Sequence, residues 1–321
     1  MGKLYNVSSS PHDRSSLTTG GVMYNVILAL MPATFVGVYN FGLDALYIIL
    51  TSVITAVLTE FIFDYIVKKP NTLTDGSAVV TGLLLALCLP ASVPLYIPFL
   101  GSLFAILFVK CFFGGLGKNF MNPALAGRCF LLISFSSIMS DFTLDGVSTA
   151  TILADASGAT MSEILTSLMG FGSGVIGGSV IALILGGLWL WAVGGITWEI
   201  PVTIIASFLI FIGLFGGNGF DPQYLLANIA GGGVVMAAIF MATDPVSSPV
   251  TSKGQIIYGI FIGCMCGLFR LFSSAADSVS YCVIIGNILV PLIDDYCVPV
   301  PYGIKQNRDK KEKKAKEEEK K

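Results

Sequence analysis

The chain has 321 residues, of which 54% are hydrophobic and 12% are charged, and its mean hydropathy is +0.81. Soluble domains carry about 25% charged residues, so this composition excludes an ordinary soluble enzyme and predicts an all-α integral membrane protein. Nine of the eighteen lysines and arginines fall between Lys305 and Lys321. Because such a mixed-charge run cannot bury a core, residues 298–321 are expected to form a solvated cytoplasmic tail.

Residues 1–20 are polar and show no pattern of a cleavable signal peptide, so a cytoplasmic amino-terminal segment is expected there. The seven cysteines lie in or beside hydrophobic segments and form no CxxC pair. This spacing gives no reason to predict a metal site.

Ten hydrophobic segments follow, and each is expected to be helical because unpaired backbone groups are not tolerated in lipid. The segments are Gly21–Tyr39, Ala45–Val67, Gly76–Pro90, Leu95–Phe113, Pro123–Ile138, Gly172–Val193, Ile200–Phe215, Leu225–Ala242, Ile256–Phe272 and Val279–Cys297. The third and fifth are shorter than the roughly 20 residues that a spanning helix needs, and the eighth is interrupted by Gly231, Gly232 and Gly233. Short or broken helices are tolerated where their backbone lines a site buried in protein.

The basic residues outside the tail predict the orientation in the membrane. With ten spans, all but one of those near the segment ends fall on one side, and they are Lys3, Arg14, Lys68, Lys69, Lys110, Lys118 and Lys253. The positive-inside rule makes that side the cytoplasm. The exception is Arg270, at the outer end of the ninth segment, for which Asp277 is a candidate partner. The loop 140–170 contains four acidic residues and no basic residue, so it is predicted to be extracytoplasmic.

This loop separates two halves, 21–139 and 171–297, of five segments each. An odd number of spans in each half gives inverted topology. Thr74-Asp75-Gly76 opens the third segment and Thr243-Asp244-Pro245 closes the eighth, a partial match whose order differs between the halves. We therefore expect about ten transmembrane helices in two inverted five-helix halves.

Polar residues at membrane depth are costly and mark candidate sites. Three clusters stand out near the predicted cytoplasmic face, Lys118–Pro123 with Arg128, Asp75–Ser77 and Thr243–Pro249. Asn119 and Asn122 stand three residues apart at a helix entrance, where their amides can point into one pocket suited to a neutral, planar ligand. The alternative is that Asn119, Asp75 and Asp244 simply cap helices and turns, which these residue types do well.

Two acidic pairs lie near the inner ends of the second and tenth segments, and they are Glu60 with Asp64 and Asp294 with Asp295. Both pairs are expected to reach the interface by snorkelling rather than to form an ion path. No function is assigned to them.

The loop contains the motif Asp155-Ala156-Ser157-Gly158-Ala159-Thr160. The two residues before Thr160 have almost no side chain, so another protein can reach its hydroxyl. No lysine or arginine lies between Arg128 and Lys253, and a threonine hydroxyl without an adjacent base is a poor nucleophile. A modification of Thr160 would therefore need an external enzyme, and the alternative is that the motif is a surface turn.

Three motifs in order carry a resemblance to a known family, Gly114–Ala124 (GGLGKNFMNPA), Asp155–Thr160 (DASGAT) and Thr243–Pro249 (TDPVSSP). The chain resembles the family that contains the D subunit of the Rnf complex and the B subunit of the sodium-pumping NADH:quinone reductase, over everything except the tail. The resemblance implies that Thr160 carries FMN through a phosphoester bond. A separate flavin transferase would attach the FMN from FAD, with Ser157, Gly158 and Ala159 completing the motif.

The resemblance also implies a second, noncovalent flavin, riboflavin, toward the cytoplasm. The motifs that match the family there implicate Asn119, Asn122 and Asp244. The isoalloxazine ring of riboflavin is a neutral planar ligand of the kind that the polar clusters suggest.

The implied function is that of one subunit of a bacterial plasma-membrane translocase, which passes electrons between reduced ferredoxin and NAD while exporting sodium ions or protons. Its implied partners are the A, B, C, E and G subunits of the Rnf complex, the transferase and the bilayer. No nucleic-acid partner, no metal ligand and no catalytic residue is expected in this chain. The short segment 1–20 favours the Rnf type over the quinone-reductase type. The quinone-reductase type, a small-solute channel or carrier, and a purely structural anchor are the alternatives.

Overall fold

The computed structural model describes residues 18–68, 72–140, 143–144, 147–148, 158, 160–172, 174–231, 233–272 and 279–297. The described chain is almost wholly helical, as predicted. The helices are α1 Thr19–Val67, α2 Ser77–Leu87, α3 Tyr96–Phe104, α4 Pro123–Ser134, α5 Ser136–Met139, α6 Met161–Met169, α7 Val180–Ala192, α8 Glu199–Phe215, α9 Pro222–Ala230, α10 Val234–Met236, α11 Ser252–Phe272 and α12 Val279–Cys297.

Shorter elements complete the fold. A 3₁₀ turn, Leu73–Asp75, precedes α2, and π-helical turns extend α3 over Ala105–Cys111 and α10 over Ala237–Met241. Two strands of two residues each, β1 Thr143–Leu144 and β2 Val147–Ser148, pair antiparallel. They lie in the predicted loop 140–170, for which the sequence predicts no regular structure.

Three described helices, α1, α11 and α12, are long and apolar enough to cross a membrane. The run from α9 through Val234–Met241 is a fourth if its 67° bend lies within one span. Five shorter helices are also apolar, and they are α2, α3 with its π-helical turn, α4, α7 and α8. Each of the ten predicted hydrophobic segments therefore contains helix.

Helix α1 is a hairpin of two arms. Gly42 has non-helical backbone angles, φ 67° and ψ −144°. The first arm begins beside the start of α2, where Gly76 packs against Met23, and the second arm ends there, where the Thr72 hydroxyl donates to Glu60 at 2.7 Å. The chain must reverse between these two contacts, so α1 supplies the first and second predicted segments.

The sixth predicted segment is only partly helical, because α7 begins at Val180 rather than at Gly172. The stretch before α7 is not helical, and its backbone pairs with the end of α2. The backbone N–H of Ile176 donates to the carbonyl of Leu89 at 3.0 Å, and that of Gly177 donates to Leu87 at 2.8 Å. Since the last carbonyls of a helix have no partner within it, this pairing lets α2 end inside the protein.

Helices α9 and α10 are separated at the glycine run, as predicted. The Ser167 hydroxyl donates to the carbonyl of Ala230 at 3.3 Å and so satisfies one group at the end of α9. The broken helix then meets the short helix α2 in the core, where Cys88 Sγ lies 4.0 Å from Met236 Sδ.

Helix α6 lies at the far end of the first arm of α1. Its Ile164 is fully buried against Ala227 and Ala230 of α9. The Asn40 amide on α1 donates to the carbonyl of Gly170, just after α6, at 2.9 Å. These contacts fix the position of the residues that follow Thr160.

Candidate functional site

The three polar clusters converge on one pocket. Ser77 comes from the second cluster, Asn119 and Asn122 from the first, and Thr243 and Asp244 from the third, and all five line the pocket. The remaining walls are largely apolar and are formed by residues such as Leu84, Leu190 and Phe240. An apolar cavity with a few convergent polar groups is the usual form of a small-molecule site.

Asn122 is committed to holding helix ends together. Its Oδ1 accepts the backbone N–H of Ala124 at 3.0 Å, which makes it the N-cap of α4. Its Nδ2 donates to the carbonyl of Met241 at 3.2 Å. The backbone N–H of Asn122 donates to the side-chain oxygen of Asn287 at 3.2 Å when the Asn287 amide is oriented so that its nitrogen donates to Tyr258. An asparagine amide has two N–H donors, and within the described part of the chain only one of them is used, which leaves one donor of Asn122 for a ligand.

Asn119 and Asp244 face each other in this pocket. Asn119 Nδ2 donates to the carbonyl of Met121 at 3.0 Å, and the Asn119 side chain also hydrogen bonds to Asp244. Burial raises the pKa of the Asp244 carboxyl, while hydrogen bonds from Ser247, from the backbone N–H of Val246 and from Asn119 lower it. The bonds to the Met121 carbonyl and to Asp244 hold the Asn119 amide in place, and its Oδ1 has no partner among the described residues, so this oxygen is available as an acceptor.

Several residues of the predicted clusters, among them Asp75, Lys118 and Arg128, do not line the pocket. Asp75 ends the 3₁₀ turn before α2, and the N-cap of α2 is Gly76, so Asp75 does not cap that helix. Arg128 is 5% exposed and lies on α4, near Gly233 at the break between α9 and α10. The glycine-rich turn Gly114–Gly117 precedes Lys118, which is exposed.

The expectation for Glu60 and Asp64 is wrong, because neither reaches the interface. They are 2% and 7% exposed. Glu60 forms a salt bridge at 2.7 Å with Lys110, and Asp64 accepts the backbone N–H of Thr72 at 3.1 Å. Buried charges need such partners, and these partners are supplied by other elements of the chain.

The prediction that Lys110 is one of the cytoplasmic loop cations is also wrong. Lys110 is 2% exposed, lies in the π-helical turn after α3 and lines the pocket. A lone lysine at the end of a hydrophobic segment gives no signal of burial. Only the pairing with Glu60, 50 positions away, identifies it as part of the site.

Thr160 is exposed and is the N-cap of α6. It forms a capping box in which the Glu163 carboxylate accepts the Thr160 backbone N–H at 2.9 Å. The Thr160 hydroxyl lies 3.1 Å from that of Ser162. Neither contact gives the hydroxyl a general base, since a serine hydroxyl is not one and the Glu163 carboxylate contacts the Thr160 backbone N–H rather than the hydroxyl.

The rest of the threonine motif is partly outside the described residues. Ser157 and Ala159 fall there, together with Asp155 and Ala156. Gly158 is exposed in a turn. Because Gly158 and Thr160 are both exposed, the threonine is open to another protein.

The pocket and the end of α6, the helix that Thr160 begins, lie at opposite ends of the first arm of α1. Met23, near the start of that arm, lines the pocket, whereas Asn40, near its end, holds the residue that follows α6. At 1.5 Å per residue, the 17 positions between them span roughly 25 Å. This separation approaches the thickness of the hydrocarbon core of a bilayer, about 30 Å.

The chain matches known proteins over almost its whole length. Residues 6–303 match the model of the NQR2, RnfD, RnfE family. The match covers both the pocket and the threonine motif.

Several curated relatives are similar, and each is the D subunit of a translocating complex. That of the Na(+)-translocating ferredoxin:NAD(+) oxidoreductase of Acetobacterium woodii is 44% identical over 320 residues, which cover 96% of this chain and 98% of that protein. That of the proton-translocating ferredoxin:NAD(+) oxidoreductase of Clostridium ljungdahlii is 39% identical, with coverage of 94% and 97%. That of the ion-translocating oxidoreductase of Actinobacillus succinogenes is 34% identical, with coverage of 94% and 99%.

Proposed function

Because this chain belongs to the NQR2, RnfD, RnfE family, we propose that it is the D subunit of an ion-translocating ferredoxin:NAD oxidoreductase of the bacterial plasma membrane. The names of its relatives place those proteins in multi-subunit complexes that move sodium ions or protons. In this proposal the chain works with the A, B, C, E and G subunits and is not active alone. The resemblance to the quinone-reductase type is secondary, since the curated relatives above are all of the D type.

Thr160 is the proposed attachment point of FMN. A flavin transferase forms the bond between Thr160 Oγ1 and the FMN phosphorus of FAD, breaks the pyrophosphate bond and releases AMP, while the hydroxyl proton leaves with the transferase. The exposure of Thr160 and the lack of a base bonded to its hydroxyl in the described part of the chain agree with this division of labour. An enzyme that supplies the base must reach the hydroxyl from outside.

The pocket is the proposed site of riboflavin. Its apolar walls suit the ring, and the Asn119 oxygen and the remaining Asn122 donor suit the polar edge of the ring, which carries both carbonyl and N–H groups. Asn119 and Asp244 would bind the ligand, whereas Asn122 would chiefly hold the walls in place. A flavin bound there supplies one- and two-electron transfer, and the chain supplies position and electrostatics.

The observation that carries the two-flavin proposal is the placement of the two sites. Three motifs distant in sequence converge on one pocket, and the helix that Thr160 begins is held at the other end of the first arm of α1, roughly 25 Å along that arm. We infer that the pocket faces the cytoplasm and Thr160 the outside, with both chain termini cytoplasmic. The chain then holds a redox centre near each surface of the membrane.

The two five-helix halves are proposed to be inverted repeats. A Pro-x-Ser-x-Pro sequence follows the third segment at Pro90–Pro94 and the eighth at Pro245–Pro249. The third segment forms the short helix α2, and the eighth forms the broken helix α9–α10. The two helices contact each other through Cys88 and Met236. Equivalent positions in the two halves thus carry both the same motif and the same kind of interrupted helix, as transporters with inverted repeats do at their binding sites.

The test is to produce the full chain with and without a flavin transferase and to look for in-gel fluorescence after denaturation, followed by mass spectrometry of the peptide that contains Thr160. We expect an FMN adduct that depends on the transferase and is lost in Thr160→Ala. Thr166→Ala, a change of another exposed threonine on α6, is the matched control and keeps the adduct. A bare Thr160 in protein from the native host contradicts the proposal and favours the channel or carrier.

A further inference from the structure

The ammonium of Lys110 uses all of its hydrogen-bond donors in its contacts with Glu60 and Ser77. Lys110 Nζ donates to Glu60 Oε1 and Oε2 and to Ser77 Oγ, each at 2.7 Å. A lysine ammonium has three N–H donors, and all three are used. The ammonium is therefore held at one point, without the freedom that this side chain has at a surface.

The Glu60 carboxylate of the ion pair is held outside the pocket by Thr72, which also contacts Asp64. The Thr72 hydroxyl lies 2.7 Å from Glu60 Oε1 and 2.9 Å from Asp64 Oδ2. Thr72, Glu60 and Asp64 do not line the pocket, whereas Lys110 and Ser77 do. The ion pair therefore presents its positive end to the pocket and its negative end to the second arm of α1.

Lys110 and Asp244 are the charged side chains that line the pocket among the described residues. Asp244 is already engaged by Ser247 at 3.0 Å and by Asn119. Lys110 is buried, and an interaction between charges is stronger in a protein interior than in water. Its charge therefore acts on a ligand in the pocket without a direct hydrogen bond.

We propose that Lys110 sets the redox potential of a flavin in this pocket and that Glu60 is the positioning residue that holds it. The inference rests on the proposed riboflavin site. Two-electron reduction places negative charge on the ring unless a proton follows, and the electrons come from and return to the redox partners of the complex. A fixed ammonium nearby favours the reduced form over the oxidised form, so the pair raises the potential of the bound flavin.

The two partners give predictions of opposite sign. Lys110→Met removes the positive end and leaves the Glu60 carboxylate, so the preference for the reduced ligand falls. Glu60→Gln removes the negative end and leaves the ammonium, so that preference rises. Ser77→Ala frees one N–H of Lys110 without leaving a charge unpaired and gives a smaller rise. A purely structural role of the pair predicts no such opposition.

The experiment is a spectroelectrochemical titration of the full chain in detergent, in a Thr160→Ala background so that only noncovalent flavin contributes to the absorbance. We expect Lys110→Met and Glu60→Gln each to change the ratio of affinities for reduced and oxidised flavin about tenfold, which is about 30 mV for a two-electron couple. Lys118→Met is the control, because Lys118 is exposed and does not line the pocket, and it leaves the potential unchanged.

The outcomes separate the two proposals. Absence of noncovalent flavin from protein with intact Lys110 and Glu60 rejects the riboflavin site and this inference with it. Bound flavin whose potential is unchanged, or moves in the same direction in both variants, rejects the role of Lys110 and leaves the riboflavin site standing. If a charge variant does not accumulate, Ser77→Ala decides, and a potential equal to or below that of the parent contradicts the inference.

Discussion

The side-chain amide of Asn122 donates to the backbone carbonyl of Met241 at 3.2 Å, across 119 positions of sequence. Met241 ends the π-helical turn after α10, where the carbonyl groups have no further helical partner. The same asparagine caps the start of α4. One residue therefore joins the entrance of a short helix to the exit of a broken one, and the pocket lies beside this junction.

Asn122→Ala is expected to lower stability more than Asn119→Ala does. Loss of the N-cap costs about 1 kcal/mol, and the buried Met241 carbonyl left without its donor costs a further 1–3 kcal/mol or so. Asn119 loses no cap, so Asn119→Ala should chiefly weaken riboflavin retention. Thermal unfolding in detergent and the flavin content of the purified protein measure the two effects. Equal loss of stability in both variants, with riboflavin retained in Asn119→Ala, contradicts this assignment.

Much of the helical architecture follows from the sequence because hydrophobic segments in a membrane have few alternatives to helix. The positions of the ten segments and the glycine break between α9 and α10 can be predicted in this way. The non-helical stretch before α7 cannot, because its backbone partners, Leu87 and Leu89, belong to another segment. Hydropathy reports apolar character, and it does not report which backbone groups find partners elsewhere.

The site shows the same limit. Asn119, Asn122 and Asp244 can be identified because each stands in a polar motif, and the structure brings them together in one pocket. Lys110 and Glu60 are misassigned from sequence because Lys110 is a single charge and Glu60 belongs to an acidic pair, each near the end of a hydrophobic segment, where a surface position is the usual outcome. Their burial depends on a contact between the second arm of α1 and the turn after α3, and no local pattern encodes that contact.

Gly42→Ala is expected to destabilise the protein through its backbone. Gly42 has φ 67° with nothing within 4 Å of an added Cβ, so the cost is conformational strain rather than a clash, and it amounts to about 1–3 kcal/mol. Gly174→Ala is the matched control, since Gly174 also has open space but no positive φ. A lower unfolding temperature for Gly42→Ala alone supports the reversal of α1 at this residue. Equal temperatures for the two variants contradict it.

Glu163→Gln is expected to accelerate the attachment of FMN to Thr160. Glutamine can replace glutamate in a capping box, so α6 keeps its start while one negative charge is removed beside the incoming phosphate. Two exposed charges at about 4 Å interact by about 1 kcal/mol in water, which allows a gain of up to about fivefold. The rate of adduct formation with purified transferase measures it. A slower rate in Glu163→Gln would mean that the carboxylate takes part in attachment.

The orientation of the chain in the membrane can be tested by labelling single introduced cysteines. Thr166 on α6 and Lys118 before α4 are both exposed, and they lie at the Thr160 end and at the pocket end of the molecule. With a membrane-impermeant maleimide, Thr166→Cys should be labelled in intact cells, because the acidic loop is predicted outside by the positive-inside rule. Lys118→Cys should be labelled only after permeabilisation. The unsubstituted chain gives the background, since most of its native cysteines are buried. The reverse pattern would place Thr160 in the cytoplasm and remove the basis for redox centres near opposite surfaces of the membrane.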